Sequence, residues 1–408
     1  MKLFTVIIVL VSINLVNALS FNGSDILAND NHGGKNMSNN SNPHVDFYSI
    51  KASGIRATFM PYGARLTHLL VKDRDGNPQD VVVGYDKGDA YINDTDTVHS
   101  YFGAVVGRYA NRIKKGTFEI DDETYHVPRN ENNGTNTLHG GTVGYDQRNW
   151  TVTSYNESSI TFMLEDNGYE GFPGSVITYA TYAVKTRDRR PILTTRLVSI
   201  PLDGATPISL SNHIYWSLNA FTDARNPTVL NDTLSLPYSN RYIETDKFLV
   251  PTGDINLVQD KAGTDFIEAI ELGTNIKQAV GGCGPKCTGL DTAFILDRPR
   301  YSGPESTDLV LLTLQSNKTG IKMELKTNQQ SLQIYSCDGQ DGTIPVKKSQ
   351  QHGNDTTYLE QYGCVVIEPQ QWIDGINNPQ WAQNEFQVYG VDTQPAVNFA
   401  SYEFSSFE

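Results

Sequence analysis

Short runs of β-branched and aromatic residues recur along the chain from residue 45 onward, and Gly, Pro, Asn and Asp bound them. Such runs are typical of β-strands in an antiparallel sheet. They cover 55–60, 80–84, 116–120, 150–153, 159–164, 175–184, 193–198, 309–314, 321–325, 332–336 and 364–367. Helical periodicity is scarce, and 264–272 is the best candidate for a short helix. With no composition break after residue 45, the pattern predicts one large antiparallel all-β domain over 45–408.

The chain begins with features of a secreted protein. Lys2 precedes an apolar run that ends before small residues, which predicts a signal peptide over 1–20 that is too short to span a bilayer. Residues 21–44 are rich in Asn, Ser and Gly and are predicted to be a disordered spacer. Glycosylation sequons, which fit secretion, begin at Asn22, Asn36, Asn39, Asn93, Asn133, Asn149, Asn156, Asn231, Asn317 and Asn354.

The charge of the chain limits its partners. The formal net charge is −14, and such a surface repels nucleic-acid phosphates and anionic membranes. A neutral or cationic small molecule is the expected partner, with neither nucleic acid nor membrane involved. The sequence does not determine the oligomeric state, for which we expect a monomer or a weak dimer.

Four cysteines, Cys283, Cys287, Cys337 and Cys364, predict two disulfides in an oxidising compartment, with three possible connectivities. The alternative, a zinc site, requires four suitable ligands at close spacing, and Cys283-x-x-x-Cys287 has no nearby His to complete one. We therefore expect no metal.

Two segments set a titratable side chain among aromatic and amide residues. His213 lies in Ser-Asn-His-Ile-Tyr-Trp-Ser, and Glu368 lies in Val-Ile-Glu-Pro-Gln-Gln-Trp. Together these two side chains offer a proton donor and a proton acceptor. Aromatic faces and amides suit a neutral sugar, which stacks on flat apolar surfaces and hydrogen-bonds through its hydroxyls. Taken alone, His213 is more often a core histidine, whereas a carboxylate that ends a buried apolar run is costly unless it has a function.

Three further segments complete a recognisable set: Gly-Arg-Tyr-Ala-Asn-Arg-Ile at 107–113, Asn-Thr-Leu-His-Gly-Gly at 136–141 and Leu-Asp-Thr-Ala-Phe at 290–294. In this order the segments resemble the aldose 1-epimerase (galactose mutarotase) family across 45 to about 378. Ser217, Ile373 and Gly375 depart from the family pattern, in which Asn, Pro and Ala are more usual, but they leave the titratable residues unchanged.

The resemblance implies a large twisted β-sandwich, the galactose mutarotase-like supersandwich, with its site in a cleft on one sheet. It implies that His213 is the general acid and Glu368 the general base. It also implies a set of residues that contact the sugar: Asn111, Arg112, His139, Tyr215, Asp291 and Gln333.

Index arithmetic adds a prediction of its own. Facing residues of a regular antiparallel pair have a constant index sum, and Gln333 with Glu368 gives the same sum, 701, as Cys337 with Cys364. The sequence therefore predicts two rungs of one ladder and a Cys337–Cys364 disulfide, which leaves Cys283–Cys287 as a small ring.

The implied reaction is interconversion of the α and β anomers of a free aldohexose, without a cofactor. It requires a protonated His213 beside an ionised Glu368, and hence a bell-shaped pH profile. The alternatives are a sugar-binding protein without catalysis, a hexose-6-phosphate epimerase, which requires extra cationic groups, and a glycosidase that uses Asp291 and Glu368.

Overall fold

The computed structural model describes residues 46–408, so the predicted signal peptide and spacer lie outside the described residues. Within these residues there are two α-helices, α1 (Gly88–Thr95) and α2 (Leu272–Ile276). The strands in chain order are β1 (Tyr48–Ala52), β2 (Ile55–Met60), β3 (Arg65–Lys72), β4 (Pro78–Asp80), β5 (Val105–Val106), β6 (Arg112–Ile113), β7 (Thr117–Ile120), β8 (Glu123–His126), β9 (Thr137–Leu138), β10 (Thr151–Tyr155), β11 (Ser159–Asn167), β12 (Ser175–Arg187), β13 (Arg190–Pro201), β14 (Thr206–Pro207), β15 (Ser211–Asn212), β16 (Tyr215–Trp216), β17 (Thr233–Ser235), β18 (Arg241–Thr245), β19 (Pro251–Leu257), β20 (Ile270–Glu271), β21 (Asp291–Ile295), β22 (Leu312–Ser316), β23 (Ile321–Thr327), β24 (Ser331–Tyr335), β25 (Val365–Gln370), β26 (Val388–Tyr389) and β27 (Ala396–Ser406).

Two large antiparallel sheets dominate. The first has nine strands in the order β10-β11-β12-β13-β27-β23-β22-β17-β20, and the second has six in the order β16-β25-β24-β21-β18-β19. Side chains from both sheets share one buried apolar core, as the two inner faces of a sandwich do. The all-β prediction is confirmed.

Strand alternation decides which side chains of the six-stranded sheet face away from this core. On β24, Leu332 and Ile334 belong to the shared core, so Gln333 points to the opposite face. On β25, Val365 and Ile367 belong to the core, which places Glu368 on that same opposite face. The polar residues of these strands are therefore gathered on one face of one sheet.

The register predicted from the index sum is confirmed. Gln333 faces Glu368 in the β24–β25 ladder, and every other pair of that ladder has the same sum. Cys337 and Cys364, just beyond the ends of the two strands, form a disulfide with their Cα atoms 5.5 Å apart. Cys283 and Cys287 form the second disulfide, also with a Cα separation of 5.5 Å.

Two local predictions are wrong. The buried run at 81–83 is not a regular strand, because β4 ends at Asp80 and only an isolated bridge, Val82 to Trp216, follows. Residues 264–272 are not a helix: Ile270 pairs with Leu234 in the nine-stranded sheet, and α2 begins only at Leu272. None of the helices within residues 46–408 combines the length and the apolar character that a membrane crossing requires.

Candidate active site

His213 and Glu368 are brought together because the segment that carries His213 pairs with two different strands in succession. β15 pairs with β5, and two residues later β16 pairs with β25, the strand that carries Glu368. His213 lies between these pairings, and its backbone N–H donates to the carbonyl of Ala104. Its Nε2 lies 3.5 Å from Oε1 of Glu368. Both side chains are buried, so the predicted acid and base form one pair.

A cavity of about 240 Å³ opens over this pair. That volume is below the roughly 300–1,000 Å³ of sites for drug-sized ligands, so the cavity suits a molecule the size of a monosaccharide. Its walls contain seven of the eight predicted site residues, the exception being Gln333. The lining residues are Val98, His99, Ser100, Tyr101, Asn111, Arg112, Leu138, His139, His213, Tyr215, Asp291, Tyr335, Gly339, Gln340 and Glu368.

Arg112 is the centre of a charge network in the cavity wall. Its Nη2 donates to Glu131 at 2.8 Å and to Asp291 at 3.2 Å, and its Nε also donates to Glu131. Asn111 accepts from the Arg112 backbone N–H at 2.9 Å. The two carboxylates raise the pKa of Arg112, although burial opposes them. The guanidinium is therefore fixed in place and its charge is already balanced.

The surroundings of His139 select its tautomer. The backbone N–H of Asn111 donates to Nδ1 of His139 at 3.1 Å, so Nδ1 is the acceptor. Burial lowers the pKa of His139 well below its ordinary value, and the neighbouring His213 and Arg112 add to that effect. A neutral ring whose Nδ1 accepts must carry its hydrogen on Nε2. His139 can therefore donate one hydrogen bond from that nitrogen.

Asp291, which lines the cavity, is hydrogen-bonded to Gln333, the residue that faces Glu368 in the neighbouring strand. Asp291 is the first residue of β21, and its Oδ1 accepts from Nε2 of Gln333. Gln333 is fully buried and is not one of the residues that line the cavity. Direct contact of Gln333 with a ligand stays a prediction, whereas its contact with Asp291 is part of the structure.

Three residues that the sequence did not single out also belong to the site. Glu131 holds Arg112. Tyr101 stacks against the ring of His213, with 5.5 Å between centroids, and the ring of His99 also stacks against Tyr101, at 4.1 Å. An available signal was the segment Val98-His99-Ser100-Tyr101, in which an aromatic and an imidazole lie two residues apart, shortly before the 107–113 motif.

Burial dominates the electrostatics of the acid–base pair. It raises the pKa of Glu368 well above 4.5, an effect that the Asp291 carboxylate increases and the Arg112 guanidinium opposes. Burial also lowers the pKa of His213 to about 3, with smaller contributions from Arg65 and His99. The sugar-free protein therefore favours a protonated Glu368 beside a neutral His213. This is the reverse of the placement expected from the sequence, because each charge loses its hydration in this site.

Among the described residues, two clusters have the residue types of metal ligands. His139, His213 and Glu368 are buried with potential ligand atoms within 4.8 Å of one another. Two imidazoles and a carboxylate are a donor set that suits zinc. In the second cluster, Cys283 and Cys287 beside Asp338, the sulfurs are joined in a disulfide and cannot act as thiolate ligands. The expectation that the protein functions without a metal stays a prediction.

Comparison with known proteins identifies the family. Residues 46–387 match the family model described as aldose 1-epimerase. The chain belongs to the aldose 1-epimerase family. The resemblance noted from the motifs is therefore confirmed over most of the described residues.

Individual relatives support this membership. A protein named probable aldose 1-epimerase from Arthroderma benhamiae is 52% identical over 388 residues, which cover 90% of this chain and 87% of that protein. The galactose mutarotase of Homo sapiens is 29% identical, over 83% of this chain and 88% of its own length. The crystal structure of an aldose epimerase homologue from C. elegans aligns with a TM-score of 0.72 at 26% identity, over 89% of this chain and all of the other.

Proposed function

We propose that this member of the aldose 1-epimerase family interconverts the α and β anomers of free aldohexoses such as glucose and galactose. The observation that carries the proposal is the buried His213–Glu368 pair, 3.5 Å apart, at the base of a cavity of about 240 Å³. A donor and an acceptor held together in this way serve the two proton transfers of ring opening, one at each oxygen bound to the anomeric carbon.

The reaction follows from these two groups. Glu368 takes the proton of the hydroxyl on C1 while His213 gives a proton to the ring oxygen. The bond between C1 and the ring oxygen breaks, and C1 becomes an aldehyde. Rotation about the C1–C2 bond exposes the other face of the aldehyde, and reversal of both proton transfers closes the ring as the other anomer. No electron is gained or lost. In ring opening the sugar gives one proton to Glu368 and receives one from His213, and ring closure reverses both transfers.

The proton on the acid–base pair must move before this step. In the sugar-free protein burial favours the proton on Glu368, whereas the step needs it on His213. Oε2 of Glu368 has no hydrogen-bond partner among the described residues. A sugar hydroxyl that donates to Oε2 stabilises the carboxylate form and lowers its pKa. Substrate binding therefore favours the protonation state that the reaction requires.

Contacts in the cavity argue against two alternatives. Among the described residues that line it, Arg112 is the single Arg or Lys, and it is already paired with Glu131 and Asp291. A phosphate would thus find no uncommitted Arg or Lys there, which disfavours a hexose-6-phosphate. Both carboxylate oxygens of Asp291 accept hydrogen bonds, from Gln333 and from Arg112, which disfavours a glycosidase nucleophile at that position.

Polarimetry tests the proposal against a sugar-binding protein without catalysis. Freshly dissolved α-D-glucose and α-D-galactose are followed with wild type, Glu368→Gln and Glu385→Gln; the last replaces an exposed carboxylate as a matched control. We expect wild type and Glu385→Gln to accelerate the change in rotation and Glu368→Gln to lose at least about 100-fold, since a positioned acid or base contributes roughly 10²–10⁴-fold. Sugar binding without acceleration by wild type would support the binding-protein alternative.

We also propose that the protein is secreted and glycosylated. All seven sequon asparagines among the described residues are exposed: Asn93, Asn133, Asn149, Asn156, Asn231, Asn317 and Asn354. Only seven of the other seventeen described asparagines are exposed, so the sequons favour the surface. Pairing of all four cysteines in disulfides also suits an oxidising compartment.

Expression of the full chain in a eukaryotic secretory host tests this second proposal. We expect protein in the medium whose mass falls after treatment with an N-glycosidase. Protein that stays inside the cell, or whose mass does not change, would contradict it.

A further inference from the structure

The segment that carries His99 and Tyr101 has an unusual backbone. Both residues adopt positive φ, 57° for His99 and 55° for Tyr101. Non-glycine residues are uncommon in this region, and backbone strain of this kind persists where the surroundings over-determine it, often at functional sites. A reason for the strain must therefore be sought in what the segment contacts.

A buried network fixes the segment from beneath. Asp146 accepts from Nε2 of His99 at 2.9 Å, and the Arg65 guanidinium donates to the carbonyls of Phe102 at 3.0 Å and of Asp146 at 3.0 Å. Arg65 and Asp146 are both buried. Charge-assisted hydrogen bonds of this kind hold their partners more tightly than neutral ones. The network thus fixes the two ends of a four-residue segment, with Tyr101 between them.

The ring held in this way contacts the imidazoles of His213 and His139. Tyr101 stacks on His213 at 5.5 Å and 30°, and it meets His139 at 4.8 Å in a tilted contact. The ring of His99 also stacks on Tyr101, at 4.1 Å and 24°. Tyr101 therefore stacks on two imidazoles, those of His99 and of His213, the proposed general acid.

We propose that Tyr101 is a positioning residue for His213: its ring, clamped by His99 and the Asp146–Arg65 network, sets the orientation of the acid and keeps water from one face of it. The inference rests on the proposed anomer interconversion. It assigns the effect to the aromatic ring and not to the hydroxyl, so Tyr101→Phe retains the function and Tyr101→Leu loses it.

Removal of the ring has two consequences that a general loss of stability does not share. A misplaced catalytic group costs up to about 100-fold in rate, so kcat of Tyr101→Leu falls about 10- to 100-fold while KM changes little. Water then reaches His213, which weakens the burial that lowers its pKa, and the acid limb of the pH profile moves to higher pH. The titratable and charged groups around His213 are Glu368, His139, Tyr215, Tyr101, Arg65 and His99.

The experiment compares wild type, Tyr101→Phe, Tyr101→Leu and Tyr125→Leu by polarimetry across pH, with thermal unfolding measured in parallel. Tyr125 is a matched control, because its ring also stacks on a neighbour, Phe118, but packs against a separate apolar cluster. We expect the lower kcat and the displaced acid limb in Tyr101→Leu alone. Wild-type kcat and pH profile in Tyr101→Leu, a loss in Tyr101→Phe equal to that in Tyr101→Leu, or a rise in KM alone would overturn the proposal. An inactive wild type would instead refute the proposed function.

Discussion

The two disulfides should contribute different amounts to the free energy of unfolding. Each one serves as the control for the other. Cys337 and Cys364 are 27 positions apart, whereas Cys283 and Cys287 are 4 apart. In the chain-entropy description, a cross-link stabilises by restricting the unfolded chain, by about 3.5 kcal/mol for the longer separation and about 2 kcal/mol for the shorter one. Loss of the Cys337–Cys364 bond should therefore cost about 1.5 kcal/mol more than loss of the other.

The contribution of each disulfide can be measured by reducing it in a variant that lacks the other disulfide. Replacement of fully buried Cys337 and Cys364 by Ala would add a cavity cost, so comparison of substitutions alone overstates the cross-link. Instead, urea unfolding of Cys283→Ala/Cys287→Ala is measured with and without a reductant, which changes only the longer cross-link. The same pair of measurements on Cys337→Ala/Cys364→Ala reports only the small ring.

We expect the free energy of unfolding to fall by about 3.5 kcal/mol on reduction in the first background and by about 2 kcal/mol in the second. Equal losses, or a larger loss for the small ring, would refute the reasoning. The longer bond also bears on the site, because Glu368 follows Cys364 by four residues on the same stretch of chain and Gly339 and Gln340 line the cavity just after Cys337. Its reduction should therefore also weaken sugar binding.

Three further predictions concern the charges of the site. First, kcat/KM should follow a bell whose acid limb lies near pH 3, because burial lowers the pKa of His213 to about 3, and whose alkaline limb lies well above 4.5 because the pKa of Glu368 is raised. An acid limb at the ordinary imidazole pKa would contradict it. Second, the raised pKa of Glu368 gives wild type a stability that is complete below the unfolded-state pKa and is lost as pH rises through the folded-state pKa. Glu368→Gln should thus match wild type near pH 4 and have the higher melting temperature at pH 8; a difference that does not depend on pH would count against this. Third, Arg112→Lys cannot reproduce the forked contact with Glu131 and should raise the Kd for galactose about 10- to 100-fold, from the roughly 1.5–3 kcal/mol of a hydrogen bond to a charged group. Titration of galactose binding by calorimetry measures this, and unchanged affinity would argue against a role for Arg112 in binding.

The ladder of the site strands could be derived from the sequence because antiparallel pairing obeys a constant index sum. Gln333 and Glu368 sit where that sum places them. Alternation along β24 and β25 then puts their polar side chains away from the core, as the apolar residues between them require.

Other features depend on long-range contacts that no local pattern contains. Arg108 and Arg112 are close neighbours in one motif, yet Arg108 is buried against Asp166 and only Arg112 lines the cavity. The apolar run at 81–83 is buried, as a strand would be, but its backbone N–H groups donate to two different segments, Val81 to Leu69 and Val83 to Tyr215, so no regular ladder with one partner strand forms. At 264–272, pairing of Ile270 with a distant strand overrides a short helical pattern.

The protonation of the acid–base pair was also beyond the sequence. The sequence predicts a protonated His213 and an ionised Glu368, because proton transfer to and from the sugar requires these forms. Burial of both side chains instead favours a neutral His213 and a protonated Glu368 when no sugar is bound. The depth of a side chain is a property of the assembled fold, and so is the pKa shift that it causes.

Exchange NMR of galactose at anomeric equilibrium in D₂O tests the central claim most directly. With catalytic amounts of wild-type protein, the account predicts exchange cross-peaks between the α and β anomeric protons, faster than the uncatalysed exchange. It also predicts that the hydrogens on C1 and C2 are retained, because only hydroxyl and ring-oxygen protons move. Exchange no faster than in buffer, or entry of deuterium at C2, would contradict acid–base ring opening by His213 and Glu368.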